Sequence, residues 1–283
     1  MFRHQGKTRT LSHNKKIASL LSFVAGIVNV AGFLSVQRLT TNVTGHFAFF
    51  IDEVFKLHFT ESLIYFLYIL FFFVGSFVSS LFIEIISKKN DRYIYVIPTL
   101  IESGILFAVA ILGQHNIATH YNFIAFTLLF AMGLQNSLVT RISGAIVRTT
   151  HLTGLFTDLG IELSQLFFYK TKEQNEKLTS TIRLRLRIIL FFFIGGVLGG
   201  IFYSYWSLYV LLIPATVLLF GLYYDTIKFQ ILSWKRKHIL KKKATCVTYC
   251  SLNFSVIHRF HYSIGQSNFW HVNLSRATPF HCI

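Results

Sequence analysis

Between Arg187 and Asp225 the chain runs 37 residues without a charged side chain. As one helix that run would be about 55 Å long at ~1.5 Å per residue, well beyond the ~30 Å hydrocarbon core of a bilayer. It reads as two spans, Ile188 to Trp206 and Ser207 to Tyr224, joined by a tight hairpin near Tyr203 to Ser207. Four further stretches precede it with the ~20 mostly apolar residues that a spanning helix needs. They are Ile17 to Val36, Ser62 to Ile83, Tyr93 to Leu112 and Tyr121 to Thr140. All six must be helices, because lipid offers no partner to unpaired backbone N–H and C=O groups.

Composition supports the same class. Hydrophobic residues make up 53% of the chain and charged residues 13%, too few to cover a soluble surface. A formal net charge of +16 would suggest nucleic acid in a soluble protein, but here the charges sit in the connections between spans. The expected partner is the lipid bilayer and not nucleic acid. The basic start (Arg3, Lys7, Arg9, Lys15, Lys16) resembles that of a signal peptide. Its ~20-residue apolar core is long, however, and no small-x-small cleavage site follows, so the first span is expected to remain in the protein.

Lys and Arg counts orient the spans. Alternate connections carry 23 basic residues against two, Arg38 and Lys56, which predicts that both termini are cytoplasmic.

The spans also repeat. Thr40-Thr41-Asn42-Val43-Thr44-Gly45 returns 109 residues later as Thr149-Thr150-His151-Leu152-Thr153-Gly154, with four of six residues identical. Each copy follows a span carrying a polar cluster, Gly26-Ile27-Val28-Asn29 and Gly133-Leu134-Gln135-Asn136. Phe71 to Phe82 aligns without a gap on Phe191 to Phe202, and Val96-Ile97-Pro98-Thr99 matches Leu212-Ile213-Pro214-Ala215. The expected fold is therefore an all-α integral membrane protein of six transmembrane helices. They form two three-helix inverted-topology repeats, residues 17–112 and 121–224, with short half-helices after the Thr-Gly motifs. A basic N-terminus (1–16) precedes this membrane domain (17–228), and a basic, poorly ordered tail (229–283) follows it. Small residues spaced by four (Gly75 and Ser79, Gly195 and Gly199) read as the packing seam between the repeats.

These residues resemble the YoaK-like bacterial membrane proteins, catalogued as domain of unknown function 1275. The resemblance rests on Gly26 to Phe33 followed by Thr44-Gly45. It extends to Gly133 to Asn136, Arg141, and Arg148-Thr149-Thr150 through Thr153-Gly154. It implies a multi-pass inner or plasma membrane protein and supplies no substrate. Two positions depart from the family pattern as it is known: Asn29 stands where Asp is usual, and His46 where Asn usually follows the Thr-Gly.

The candidate binding residues follow from the echo. Thr is a good N-cap, and a helix beginning at each Thr-Gly would present free N–H groups to an anion. Thr41, Thr44 and Gly45, with Thr150, Thr153 and Gly154, are the expected walls of a solute site, and Arg148 adds a full charge. Asn29, Gln135 and Asn136 lie inside spans, where an amide must find a partner in the bundle, and complete that site. Glu102, mid-span, is the candidate for proton coupling, with a structural ion pair to an Arg such as Arg141 as the plainer reading.

Residues 170–187 read as a mixed-charge cytoplasmic linker. Cys246-x3-Cys250 with His258-x2-His261 matches no standard zinc spacing, so no metal and no cofactor are expected. No catalytic motif occurs, and the chain is not read as an enzyme. Transport of a small solute, anionic solutes included, is the expected role, and a non-transporting scaffold or signalling partner the alternative.

Overall fold

The computed structural model describes residues 11–88, 94–143, 147–168 and 171–224, together with 227 and 234. By contacts the chain divides into Met1–Ile227 and Lys228–Ile283. The second part, with the expected tail and its cysteines, lies outside the described residues apart from Trp234.

The described residues form helices and turns, with no strand among them. In order they are α1 (Leu11–Val36), α2 (Val43–Phe55), α3 (Phe59–Ser87), α4 (Val96–Ala108), a π-helical turn (Val109–Gly113), α5 (Gln114–Ser143), α6 (Leu152–Gln165), α7 (Lys172–Trp206), a 3₁₀ turn (Ser207–Leu211) and α8 (residues 212–224). Five stretches are long and apolar enough to cross a membrane: Lys15–Val36, Phe59–Ser87, Val96–Gly113, Thr119–Ser143 and Lys172–Tyr224. The fifth, 53 residues long, is interrupted at Ser207, whose backbone takes φ 50° and ψ −135°. There α7 stops. The Leu208 amide donates to Gln114 Oε1 at 2.9 Å, and Ser103 Oγ donates to the Ala215 carbonyl at 3.0 Å, so the chain beyond the break packs on α4 and the start of α5.

Three local features differ from the sequence reading. Residues 172–187, expected as a linker, are the first turns of α7. Thr171 precedes them, Glu173 favours the helix N-terminus, and Leu178 and Ile182 pack on Leu159 of α6, so an apolar stripe inside the charge pattern holds the helix. Between α4 and α5 no open loop occurs; the π turn leads straight into α5, and His120 (φ −129°, ψ 36°) absorbs the change of direction. Finally, α2 and α6 begin at Val43 and Leu152 with Asn42 and His151 as N-caps, so each Thr-Gly pair lies within a first helical turn.

Packing is dominated by two pairs of helices, α1 on α7 and α3 on α5. Both rest on glycine. A Cβ on Gly26 would lie 2.1 Å from the Phe192 carbonyl oxygen, and one on Gly195 would lie 2.2 Å from that of Phe23. In the other pair, a Cβ on Gly133 would lie 2.1 Å from the Phe72 carbonyl oxygen, and one on Gly75 the same distance from that of Phe130. Backbone therefore meets backbone at four places, which only residues without side chains permit. Around these contacts α1 and α5 cross in an apolar interior of Ile17, Leu21, Val24, Leu128, Met132 and Leu138. The outward faces of α3 (Phe66, Phe73, Phe77) and α7 (Leu190, Phe193, Val197) stay exposed and apolar, as surfaces against lipid must.

The packing and the break at Ser207 set three expectations for reversible unfolding in mixed micelles. Gly133→Ala forces α3 and α5 apart and lowers stability by about 1–3 kcal/mol. Gly104→Ala, whose Cβ meets nothing within 4 Å, leaves stability unchanged or slightly raised. Ser207→Gly, relieving a positive φ, stabilises by about 1 kcal/mol, whereas Ser207→Val destabilises.

Candidate functional site

Each Thr-Thr hexapeptide closes back on the helix before it. Beyond α1, Thr41 Oγ1 donates to Asn29 Oδ1 at 2.7 Å, and Thr40 Oγ1 reaches the Val28 carbonyl at 3.4 Å. Beyond α5, Thr150 Oγ1 donates to Asn136 Oδ1 at 2.6 Å, and Thr149 is fully buried. The amide of an intramembrane Asn thus receives a hydrogen bond from the returning chain, which lowers the cost of burying it. Asn42 Oδ1 accepts from the Gly45 amide at 3.0 Å, capping α2. At α6 the exposed His151 ring folds over the helix start beside Gly154, where an added Cβ would lie 2.3 Å from its Cδ2. Thr44, Thr153 and Arg148 are exposed, outside these hydrogen bonds.

The sequence-predicted residues are consequently distributed over two places. Gln135, fully buried, donates from Nε2 to the Leu21 carbonyl at 2.6 Å, linking α5 to α1. From Leu21 to Asn29 is eight residues of α1, about 12 Å along its axis. Asn136 is therefore held near the level of Leu21, and the Asn29–Thr41 pair lies well above it. The structure brings Asn29 to Thr41 and Asn136 to Thr150, and it does not bring those two pairs together.

Glu102, on α4, has 0% exposure, and neither carboxylate oxygen has a hydrogen-bond partner among the described residues. Arg141 does not serve it, being paired with Glu84 instead. Ser22 Oγ, Gln135 Oε1 and Thr149 Oγ1 are likewise buried without a partner. Among the described residues no group of three or more His, Cys, Asp or Glu side chains could hold a metal ion. The Cys246/Cys250 and His258/His261 constellation lies outside them.

One cluster escaped the motif reading. Arg38 lies over the Tyr65 ring, 5.3 Å from its centroid, in the connection between α1 and α2. His46 of α2 is buried against Tyr68, with ring centroids 4.9 Å apart, and its Nε2 bonds the Leu39 carbonyl at 2.7 Å. Tyr65 and Tyr68 meet edge to face at 5.8 Å, and the Tyr68 hydroxyl donates to Asn122 Oδ1. Burial pushes the His46 pKa below its ordinary value; the Leu39 carbonyl opposes that shift and the Arg38 charge adds to it. Two signals in the sequence point to this cluster: Arg38 is one of two cations among the sparsely charged connections, and His46 replaces the family's usual Asn.

The comparisons agree with the membrane architecture. The family model described as "Protein of unknown function (DUF1275)" matches residues 17–224, from within α1 to the end of α8. UPF0700 transmembrane protein YoaK of Bacillus subtilis is 24% identical over 217 residues, covering 75% of this chain and 93% of that protein. No solved structure matches. A family match over this whole run of apolar helices makes the chain a membrane protein of the DUF1275 family, similar to YoaK.

Proposed function

We propose that the chain is a permease for a small solute, anionic solutes included, built from six spans as two inverted three-helix repeats in a bacterial cell membrane with both termini cytoplasmic. The repeat reading is supported by contacts that recur in pairs. Gly26 meets the Phe192 carbonyl as Gly133 meets that of Phe72, and Gly195 meets that of Phe23 as Gly75 meets that of Phe130. Thr41 bonds Asn29 as Thr150 bonds Asn136. The break at Ser207 supports α7 and α8 as separate spans. The charge asymmetry of the connections supports the orientation.

The observation that carries transport is the set of buried side-chain oxygens without partners among the described residues: Glu102 on α4, Ser22 on α1, Ser79 on α3, Gln135 on α5 and Thr149 just beyond it. In a purely structural bundle each such group costs on the order of 1–3 kcal/mol. Groups that a passing solute, ion or water satisfies part of the time explain that expense, and intramembrane polar groups commonly mark such paths. Glu102 takes the proton-coupling role, the Thr–Asn pairs flank the path from opposite ends, and movement of one repeat against the other exposes the interior alternately.

A scaffold or signalling partner is the second reading, favoured by the apolar filling of the α1–α5 crossing. Currents from proteoliposomes on a solid-supported membrane decide between them. Concentration jumps of small organic anions, amino acids and sugars are expected to give protein-dependent currents for at least one class. Asn136→Ala or Glu102→Gln is expected to lower the signal at least tenfold. Absence of current and of tracer uptake for every class supports the scaffold.

A further inference from the structure

The Arg38–His46 cluster holds two buried nitrogens without a hydrogen-bond partner among the described residues, Arg38 Nε and His46 Nδ1. His46 itself is 2% exposed. Orphaned buried polar groups call for an occupant, and the chemistry of these two defines one. A carbonyl only accepts, so the 2.7 Å contact to Leu39 requires Nε2 to carry the proton of neutral His46. Nδ1 then offers a lone pair. Arg38 Nε offers a cationic N–H. A fitting ligand must accept from the guanidinium and give a proton to the imidazole.

Fold symmetry does not account for the cluster. Along the sequence echo the places of Arg38, His46, Tyr65 and Tyr68 are taken by Val147, Leu155, Arg185 and Ile188. Leu155 is as buried as His46, so an apolar residue packs at that position without difficulty. The walls are aromatic: Tyr65 and Tyr68 meet His46, and Phe49 stacks on Tyr65 with centroids 5.3 Å apart. Aromatic walls suit an apolar substituent.

We propose that Arg38, His46, Tyr65 and Tyr68 form a binding site for a small monocarboxylate, taken up together with one proton. One carboxyl oxygen accepts from Arg38 Nε. The other shares a proton with His46 Nδ1, as a carboxylic acid donating to the imidazole or as a carboxylate accepting from the imidazolium. The balance is the same in both: one carboxylate and one proton enter. Binding by this cluster requires no transport, so the proposal stands or falls apart from the permease reading.

The proton count follows from the surroundings of His46. Ionisable groups facing it are Arg38 from the α1–α2 connection and Tyr65 and Tyr68 from α3, with Tyr121 of α5 next to Tyr68. On α2 itself, Asp52 pairs with Lys56, and Glu53 contacts Lys56 and His58. The free site keeps His46 neutral above pH ~6.5, and the bound carboxylate brings the proton in. Affinity therefore falls as pH rises, about tenfold per unit between pH 6.5 and 8.

The test is calorimetric titration of the full chain in nanodiscs with propionate, in two buffers of different ionisation enthalpy. Saturable binding with close to one proton taken up per propionate is expected. Arg38→Gln is expected to weaken it at least tenfold, and His46→Asn to abolish the proton uptake. Propionamide and inorganic phosphate are the controls for a neutral ligand and for any anion. Overturning results are no saturable propionate binding, which leaves water as the occupant, equal binding of either control, or an unchanged proton count in His46→Asn. If the variants do not assemble, the proton count and ligand panel of the unaltered chain decide alone.

Discussion

Helices in lipid gain nothing from burying apolar surface against one another, since the tails are as apolar as leucine. Close contact and hydrogen bonding must hold them instead. In this chain that requirement falls on four glycines. Gly26 and Gly195 bring α1 and α7 to backbone contact, and Gly75 and Gly133 do the same for α3 and α5. With those distances fixed, α1 and α5 are left to cross in the interior, where Gln135 reaches the Leu21 carbonyl. The Thr–Asn closures sit where they do because the helices carrying Asn29 and Asn136 are held in this way.

The two ends of the bundle satisfy comparable positions with different chemistry. At one, Phe49 of α2 stacks on Tyr65 of α3. At the other, Asp158 and Glu162 of α6 grip Arg185 of α7 at 2.7 and 2.9 Å, with Glu162 mostly buried. Aromatic stacking tolerates partial contact with lipid and needs no counterion. A carboxylate–guanidinium pair of this exposure contributes only about 0–1 kcal/mol, but it fixes the orientation of α6 on α7.

Much of the architecture was legible because lipid is a strict selector. Length and absence of charge alone marked the apolar stretches, and the break near Ser207 followed from a run too long for one crossing. The glycine spacing announced close packing before any partner was known. What was hidden depended on contacts between distant residues. The segment after Lys172 read as a linker because its charges outnumber its apolar residues, yet Leu178 and Ile182 suffice to hold it against α6. The threonines of the Thr-Gly pairs matched capping preference, but Asn42 and His151 stand at the helix starts. Arg38 and His46 were each unusual in the sequence, but nothing there joined them, since only folding brings Tyr65 and Tyr68 beside both. Glu102 stood out in the sequence; its lack of a partner is a property of three dimensions.

A seam made of backbone has little relief along its length. Interlocked side chains resist sliding, whereas a carbonyl resting in a glycine notch meets a similar notch one turn further on. In α7 that next notch is Gly199, whose added Cβ would touch Ile27 Cα at 2.9 Å. The facing helix lacks the same repeat: one turn from Gly26, α1 carries Ser22 or Val30, so a slide of about 5.4 Å would set a side chain against the Phe192 carbonyl. The seam is smooth on α7 and stepped on α1, which leaves this pair of helices a single register.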